Sequence, residues 1–174
     1  KKLLLILLCL PMIGFGQTSE SYYNKAGDYL DNGKYQLAIN NYTESLKLDP
    51  DAADTYYNRG IAYSALENYE EAIADFTRAI RVDSDYIDAY IFRGNSYGRL
   101  KDYKEAIINH TKAIRIDPDN AKAYYNRGKS YSELKKYEDA IADYTRAIRI
   151  DSDNASMYYN RGHAFTKLKK YEDA

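Results

Sequence analysis

The sequence predicts an all-α solenoid, an array of helix-turn-helix units stacked one on the next. Three observations lead there. Tyr69, Tyr103, Tyr137 and Tyr171 each lie 34 residues after the last, and the columns Ala72/Ala106/Ala140/Ala174 and Gly60/Gly94/Gly128/Gly162 keep the same interval. Within each period the apolar residues recur at helical spacing. Of the 21 tyrosines, all but Tyr86 fall in five repeating columns, as packing residues of a periodic fold should.

The elements run as follows. Residues 1–16 do not belong to the array. Lys1 and Lys2 form a basic start, Leu3 to Leu10 an apolar run containing Cys9, and Pro11 leads to Gly14-Phe15-Gly16 before Gln17. This is the pattern of a secretory signal peptide, with cleavage expected after Gly16. The run falls short of the about 20 residues that span a bilayer, so no membrane span is expected after cleavage. A rival reading makes Cys9 a lipidation site, but Leu8 precedes it where lipoprotein signals resemble one another in having a small residue. The expected location is the periplasm or cell envelope of a bacterium. The mature chain would hold no cysteine, which excludes disulfides, cysteine nucleophiles and thiolate metal sites.

The array then occupies 17–174, as units 19–52, 53–86, 87–120, 121–154 and a partial 155–174. In the fourth, Ala123 to Leu134 forms the first helix, with Tyr124, Tyr131 and Leu134 at helical spacing. Tyr137 to Ile150 forms the second, with Ala140, Ile141, Tyr144, Ala147 and Ile148 on one face. Lys135-Lys136 marks the turn between them. Glu138 and Asp139 in the first turn and Arg146 and Arg149 near the end suit the helix dipole. Asp49-Pro50, Asp83-Ser84, Asp117-Pro118 and Asp151-Ser152 are the stops, with Asp or Ser expected to cap the helix that follows.

A glycine inside a helix costs about 1 kcal/mol relative to alanine. Four at one phase imply that a neighbouring helix backbone approaches there, and the alanine column marks the same approach from the second helix. In the first unit Ala26 holds this position.

The run Tyr-Tyr-Asn-Arg-Gly-x-x-Tyr-x-x-Leu-x-x-Tyr-x-x-Ala-Ile-x-x-Tyr-x-x-Ala-Ile-x-x-Asp-Pro closely resembles the tetratricopeptide repeat, and the resemblance covers residues 19–174. Tyr56, Tyr90, Tyr124 and Tyr158 stand where tryptophan is common in that family. His110 occupies a column that holds Tyr42, Phe76 and Tyr144 elsewhere. The resemblance implies a right-handed superhelix whose first helices line a concave groove for peptide segments. By it, the groove stripe comprises Tyr57 and Asn58 in the second unit, Asn95 in the third, and Tyr125, Asn126 and Lys129 in the fourth. Tyr159, Asn160 and His163 continue it in the fifth. Tyrosine with amide side chains suits peptide recognition, giving flat amphipathic area and hydrogen bonds to a ligand backbone. A C-terminal-carboxylate clamp, as in chaperone-binding relatives, is not expected. Asn95 and Asn126 fit it, but Ile91, Ser156 and Asn160 stand where its cations would be.

Arg59, Arg93, Arg127 and Arg161 precede the glycines, and Asp75, Asn109 and Asp143 recur on the partner helix. A structural pair of Arg127 with Asp143 inside one unit is the expectation, partly buried and linking the two helices.

Function follows by exclusion and by resemblance. The 25 basic and 26 acidic side chains are interspersed, which gives no electrostatic case for nucleic acid. Charged residues at 29% and aromatics at 14%, with three prolines, argue against disorder. His110 and His163 lie 53 residues apart in different columns and form no metal site. No triad order, paired catalytic carboxylates or phosphate loop is present. The expectation is a non-enzymatic scaffold with no cofactor, binding a protein or peptide in its groove. Two alternatives stand beside it: a docking or sensory region of a longer signalling or enzymatic protein truncated at Ala174, and an architectural spacer. The chain stops near the start of a second helix, so it is expected to fray after about residue 154 or to self-associate through that uncapped end.

Overall fold

The computed structural model describes residues 17–169. The expected leader and the last residues of the fifth unit, Tyr171 and Ala174 among them, lie outside that range. Nine α-helices make up the described residues. Unit by unit they are α1 (Ser19–Asp31) with α2 (Tyr35–Leu48), α3 (Ala53–Ala65) with α4 (Tyr69–Val82), and α5 (Ile87–Arg99) with α6 (Tyr103–Ile116). Then come α7 (Ala121–Glu133) with α8 (Tyr137–Ile150), and α9 (Ala155–Lys167). No strand occurs among the described residues.

Each turn inside a unit closes the same way. The C-cap is Asn32 in the first unit and Leu66, Leu100, Leu134 or Leu168 in the others. The residue after it is left-handed: Gly33 at φ 69°, then Glu67, Lys101, Lys135 and Lys169 at 60–64°. The next N–H reaches back to the first helix, as in Asn68 N to Tyr63 O at 3.0 Å and Lys136 N to Tyr131 O at 2.9 Å. This is a Schellman closure, which satisfies carbonyls the helix end would otherwise leave bare.

The turns between units correct one expectation. Asp49, Asp83, Asp117 and Asp151 end the second helices in extended geometry. Their carboxylates do not cap the next helix. Each accepts instead from the backbone N–H two residues on, as Asp119 N to Asp117 Oδ1 at 3.1 Å. The aspartates therefore fold the turn locally, in the manner of an Asx-turn. The N-caps are Ala52, Tyr86, Asn120 and Asn154, and the two asparagines supply side-chain caps.

Small residues set the distance between helices. Ala38, Ala72, Ala106 and Ala140 are fully buried. The glycine column also meets a close neighbour, but a ring rather than a backbone. A Cβ on Gly60 would lie 2.7 Å from Phe76 Cε1, and one on Gly128 would lie 2.8 Å from Tyr144 Cε1. At Gly128 a backbone atom is among the nearest neighbours as well, Ala140 O at 3.3 Å. Gly60, Gly94 and Gly128 are thus seats for the aromatic rings of their own units' second helices. Fully burying such a ring stabilises the fold by about 3 kcal/mol.

First helices touch the first helix of the next unit, whereas second helices have no such contact among the described residues. The first helices therefore line the tighter, concave face. No described helix is long and apolar enough to cross a membrane.

Candidate functional site

The concave face is held in register by links between neighbouring units. Arg127 on α7 donates through Nε and Nη2 to both carboxylate oxygens of Asp143 on α8, each at 2.7 Å. Its Nη1 donates to Thr111 Oγ1 of the preceding unit at 3.1 Å. Arg59 does the same with Asp75 and with Thr43. The arginine therefore joins two units as well as two helices, and its guanidinium also lies over Tyr124 and Tyr131. Donating to the Asp143 carboxylate raises the Arg127 pKa against the opposing effect of burial. Burial lifts the Asp143 carboxyl, and Arg127 opposes that lift without cancelling it. The third unit departs. Arg93 meets Asn109 Oδ1 at 2.7 Å and Thr77 at 3.0 Å, so it has an amide where the others have a carboxylate. Burial lowers the Arg93 pKa accordingly.

A second set of links runs along the groove itself. Tyr23, Tyr57 and Tyr125 each pack on the ring of their own second helix, at 5.7 Å from Tyr42, 5.9 Å from Phe76 and 5.9 Å from Tyr144. Asn58 Nδ2 then donates to Tyr23 Oη at 2.9 Å, and Asn160 Nδ2 to Tyr125 Oη at 3.1 Å. Tyr57 has Phe92 beyond it, edge to face at 5.6 Å.

The expected groove residues consequently divide. Tyr57 is half-buried among Phe76, Tyr86 and Phe92, and its phenol is pushed up to about 12 by burial and by Asp88. Asn58, Tyr125 and Asn160 are engaged with the array. Tyr159, at 76% exposure, and His163 stand open to solvent on α9. Asn95, Asn126 and Lys129 come together around one hollow.

That hollow, of about 370 Å³, opens on the concave face between α5 and α7. Asn95 and Gly98 come from α5, His110 from α6, and Asn126 and Lys129 from α7. A Cβ on Gly98 would meet nothing within 4 Å. His110 is 1% exposed, and its Nδ1 is sealed from solvent without a hydrogen-bond partner. Burial, with Arg127 and Lys129 nearby, pushes its pKa down to about 3, so the imidazole is neutral at ordinary pH. Arg99, Tyr103, Ser130 and Glu133 also line the hollow, so the site can accept and donate hydrogen bonds and presents both signs of charge.

Sequence reasoning placed the amides and Lys129 but missed the threonine column, the Asn–Tyr links and His110 as part of a binding surface. The threonines recur at the same 34-residue interval as the other columns and were legible there.

The TPR repeat family model matches residues 28–67, 94–135 and 128–169, and the tetratricopeptide repeat model matches 53–86. A search of curated proteins finds no match. Among solved structures, the crystal structure of MamA protein is 24% identical, covers 90% of this chain and 86% of its own, and superposes at a TM-score of 0.83. YrrB, described as a TPR protein with an unusual peptide-binding site, is 23% identical over 90% of this chain and 80% of its own, at 0.75. The first TPR of Spaghetti (RPAP3), bound to the HSP90 peptide SRMEEVD, is 28% identical over 68% of this chain and 94% of its own, at 0.66. The likenesses to MamA and YrrB show the fold alone. With the family models spanning most of its length, the chain belongs to the tetratricopeptide repeat family.

Proposed function

We propose that this protein is a non-catalytic interaction scaffold that takes a peptide segment of a partner protein along its concave face. The observation that carries the reading is the hollow between α5 and α7, where Asn95, Asn126 and Lys129 present polar groups. Pockets that combine concavity with a few converging polar groups are where ligands seat. The peptide-bound structure of Spaghetti supports the reading by similarity. A carboxylate clamp is not part of the proposal, because Ile91, Ser156 and Asn160 bring no charge to the groove.

The proposal includes export, with residues 1–16 as the leader and cleavage after Gly16. N-terminal sequencing of the protein recovered from a bacterial periplasm tests that part.

For the groove, a random peptide library displayed on phage is selected against the protein. Enriched peptides are expected to shift amide resonances on α5 and α7 and to lose affinity on Asn126→Ala with Lys129→Ala. Peptides that shift only the second helices would place recognition elsewhere, and failure to enrich any peptide would favour the spacer reading.

A further inference from the structure

The first helices change charge steadily along the array. Glu20, Asp28 and Asp31 outweigh Lys25 in α1, giving −2. Asp54 balances Arg59 in α3, and Arg93 with Arg99 outweighs Asp88 in α5 by one. Lys122, Arg127 and Lys129 against Glu133 leave α7 at +2, and Arg161 with Lys167 gives α9 the same value. Leaving out the column of linking arginines, with Lys25 in the first unit, lowers every value by one and keeps the trend. The second helices show none, at 0, −1, +2 and −1 from α2 to α8. The whole chain carries only −1, so the drift belongs to the concave face and not to an excess of one sign.

Two hollows on that face lie on either side of the crossover. One, of about 430 Å³ between α1 and α3, is lined by Asp28 and Asp31 with the amides Asn24 and Asn58, and by no cation. The other is the hollow between α5 and α7, where Arg99 and Lys129 outnumber Glu133. Glu133 has the Tyr103 phenol beside it, whose pKa burial and that carboxylate push up. Between the hollows the face is aromatic. Tyr57 packs on Tyr86 at 5.0 Å and on Phe92 at 5.6 Å, and Lys122 lies over Phe92 at 5.3 Å. Two steps from first helix to first helix separate the hollows, about 20 Å at the spacing of packed helices. An extended chain covers that with about six residues.

From this we infer that the groove takes an extended segment whose charges are segregated, with a cationic side chain in the α1–α3 hollow and an anionic one at Arg99 and Lys129, about six residues apart across an apolar middle. Side chains, not a chain terminus, are what it reads. The polarity also fixes the direction of the segment, because reversing it sets like charges together at both ends. The inference deepens the peptide-groove reading and rests on it.

The test uses two peptides of one composition, blocked at both ends and titrated into the protein by NMR. Lys-Lys-Gly-Leu-Phe-Leu-Gly-Glu-Glu has its charges segregated, and Lys-Glu-Gly-Leu-Phe-Leu-Gly-Lys-Glu has them mixed. The segregated peptide should bind about tenfold more tightly at low salt, the sum expected of several exposed ion pairs. The difference should vanish in about 1 M salt, where charges are screened within about 3 Å. A nitroxide on its lysine end should broaden amides of α1 and α3. Asp28→Lys with Asp31→Lys should erase the preference, and so should Arg99→Glu with Lys129→Glu. All four changes together should restore it with the peptide turned round, the nitroxide now broadening α7, which a damaged fold would not give. Equal affinities, binding of neither peptide, or a lysine end lying on α7 of the unaltered protein would overturn the inference. A dimer formed through the first helices would assign the face to a second copy and overturn it as well. Library peptides that bind the first helices without segregated charge would sink the polarity and leave the groove standing. Broadening confined to the second helices would sink the groove itself.

Discussion

Units 3 and 4 have the same backbone plan and differ where three side chains meet. In unit 4, Asp143 neutralises Arg127, Tyr144 fills the seat on Gly128, and Tyr125 covers that ring while accepting from Asn160. In unit 3 the same places hold Asn109, His110 and Ile91. The helices run through the same lengths, 13 and 14 residues, in both. The small-residue columns and the Schellman turns therefore suffice for the architecture, while the ring and charge columns are free to vary. Unit 3 gives up an ion pair and a tyrosine ring and keeps the same helices.

The comparison breaks first at the buried charge. Asp143→Ala leaves Arg127 without its carboxylate and should destabilise by about 3 kcal/mol. Asn109→Ala removes an uncharged amide that accepts from Arg93 and donates to Glu105 O, and should cost about 1 kcal/mol. Urea denaturation of the two variants measures the gap, and equal losses would show that the carboxylate has no special weight.

Next in size is pH. His110 is neutral when folded, with its pKa pushed down to about 3 by burial and by the nearby cations Arg127 and Lys129. Unfolded, it titrates near 6.5. The unfolded state therefore binds the extra proton first. The stability this burial leaves intact above pH ~6.5 is lost as pH falls toward 3, by about 2 kcal/mol at pH 5. His110→Phe should remove that component of the acid slope. An unchanged difference in stability between pH 7 and pH 5 would show that the imidazole is not sealed.

The smallest contrast lies at the ring seats. Gly128→Ala drives a Cβ to 2.8 Å from Tyr144 and 3.3 Å from Ala140 O, and should cost about 2 kcal/mol. Gly94→Ala meets His110 Cε1 at 2.6 Å, yet that ring has the hollow to move into. It should cost about half as much as Gly128→Ala, offset further by the better helix propensity of alanine. Thermal melts of the pair decide it; a larger loss at Gly94 would mean the imidazole is held rigidly.

Most of the fold was legible because its signals are local and periodic. The second helix expected from Tyr137 to Ile150 has those bounds, and the first begins at Ala121, two residues before Ala123. The errors arose where composition does not name the partner. A glycine column cannot say whether a backbone or a ring approaches it, since either excludes a Cβ. The aspartates at the stops resemble N-caps in composition, and only the chain path shows them bonding two residues on. In the candidate site, Asn126 and Lys129 were found from the column they occupy. Asn160 and Tyr125 satisfy each other across 35 residues, which no single column displays. His110 read only as a member of the ring column, because the hollow beside it is built by residues of α5 and α7 as well.

The arginine link has a consequence for how such a gene changes length. Arg59 lies 16 residues after Thr43 and 16 before Asp75, and Arg127 is placed the same way between Thr111 and Asp143. Both arms fit inside one period, so a crossover between equivalent positions of two repeats leaves every arginine with a threonine behind it and an acid or amide ahead. Copies can be added or lost by unequal recombination with no junction to repair. Length is then a heritable variable: each added copy brings its own interface terms to stability, and the binding face can grow by whole units of the same machinery.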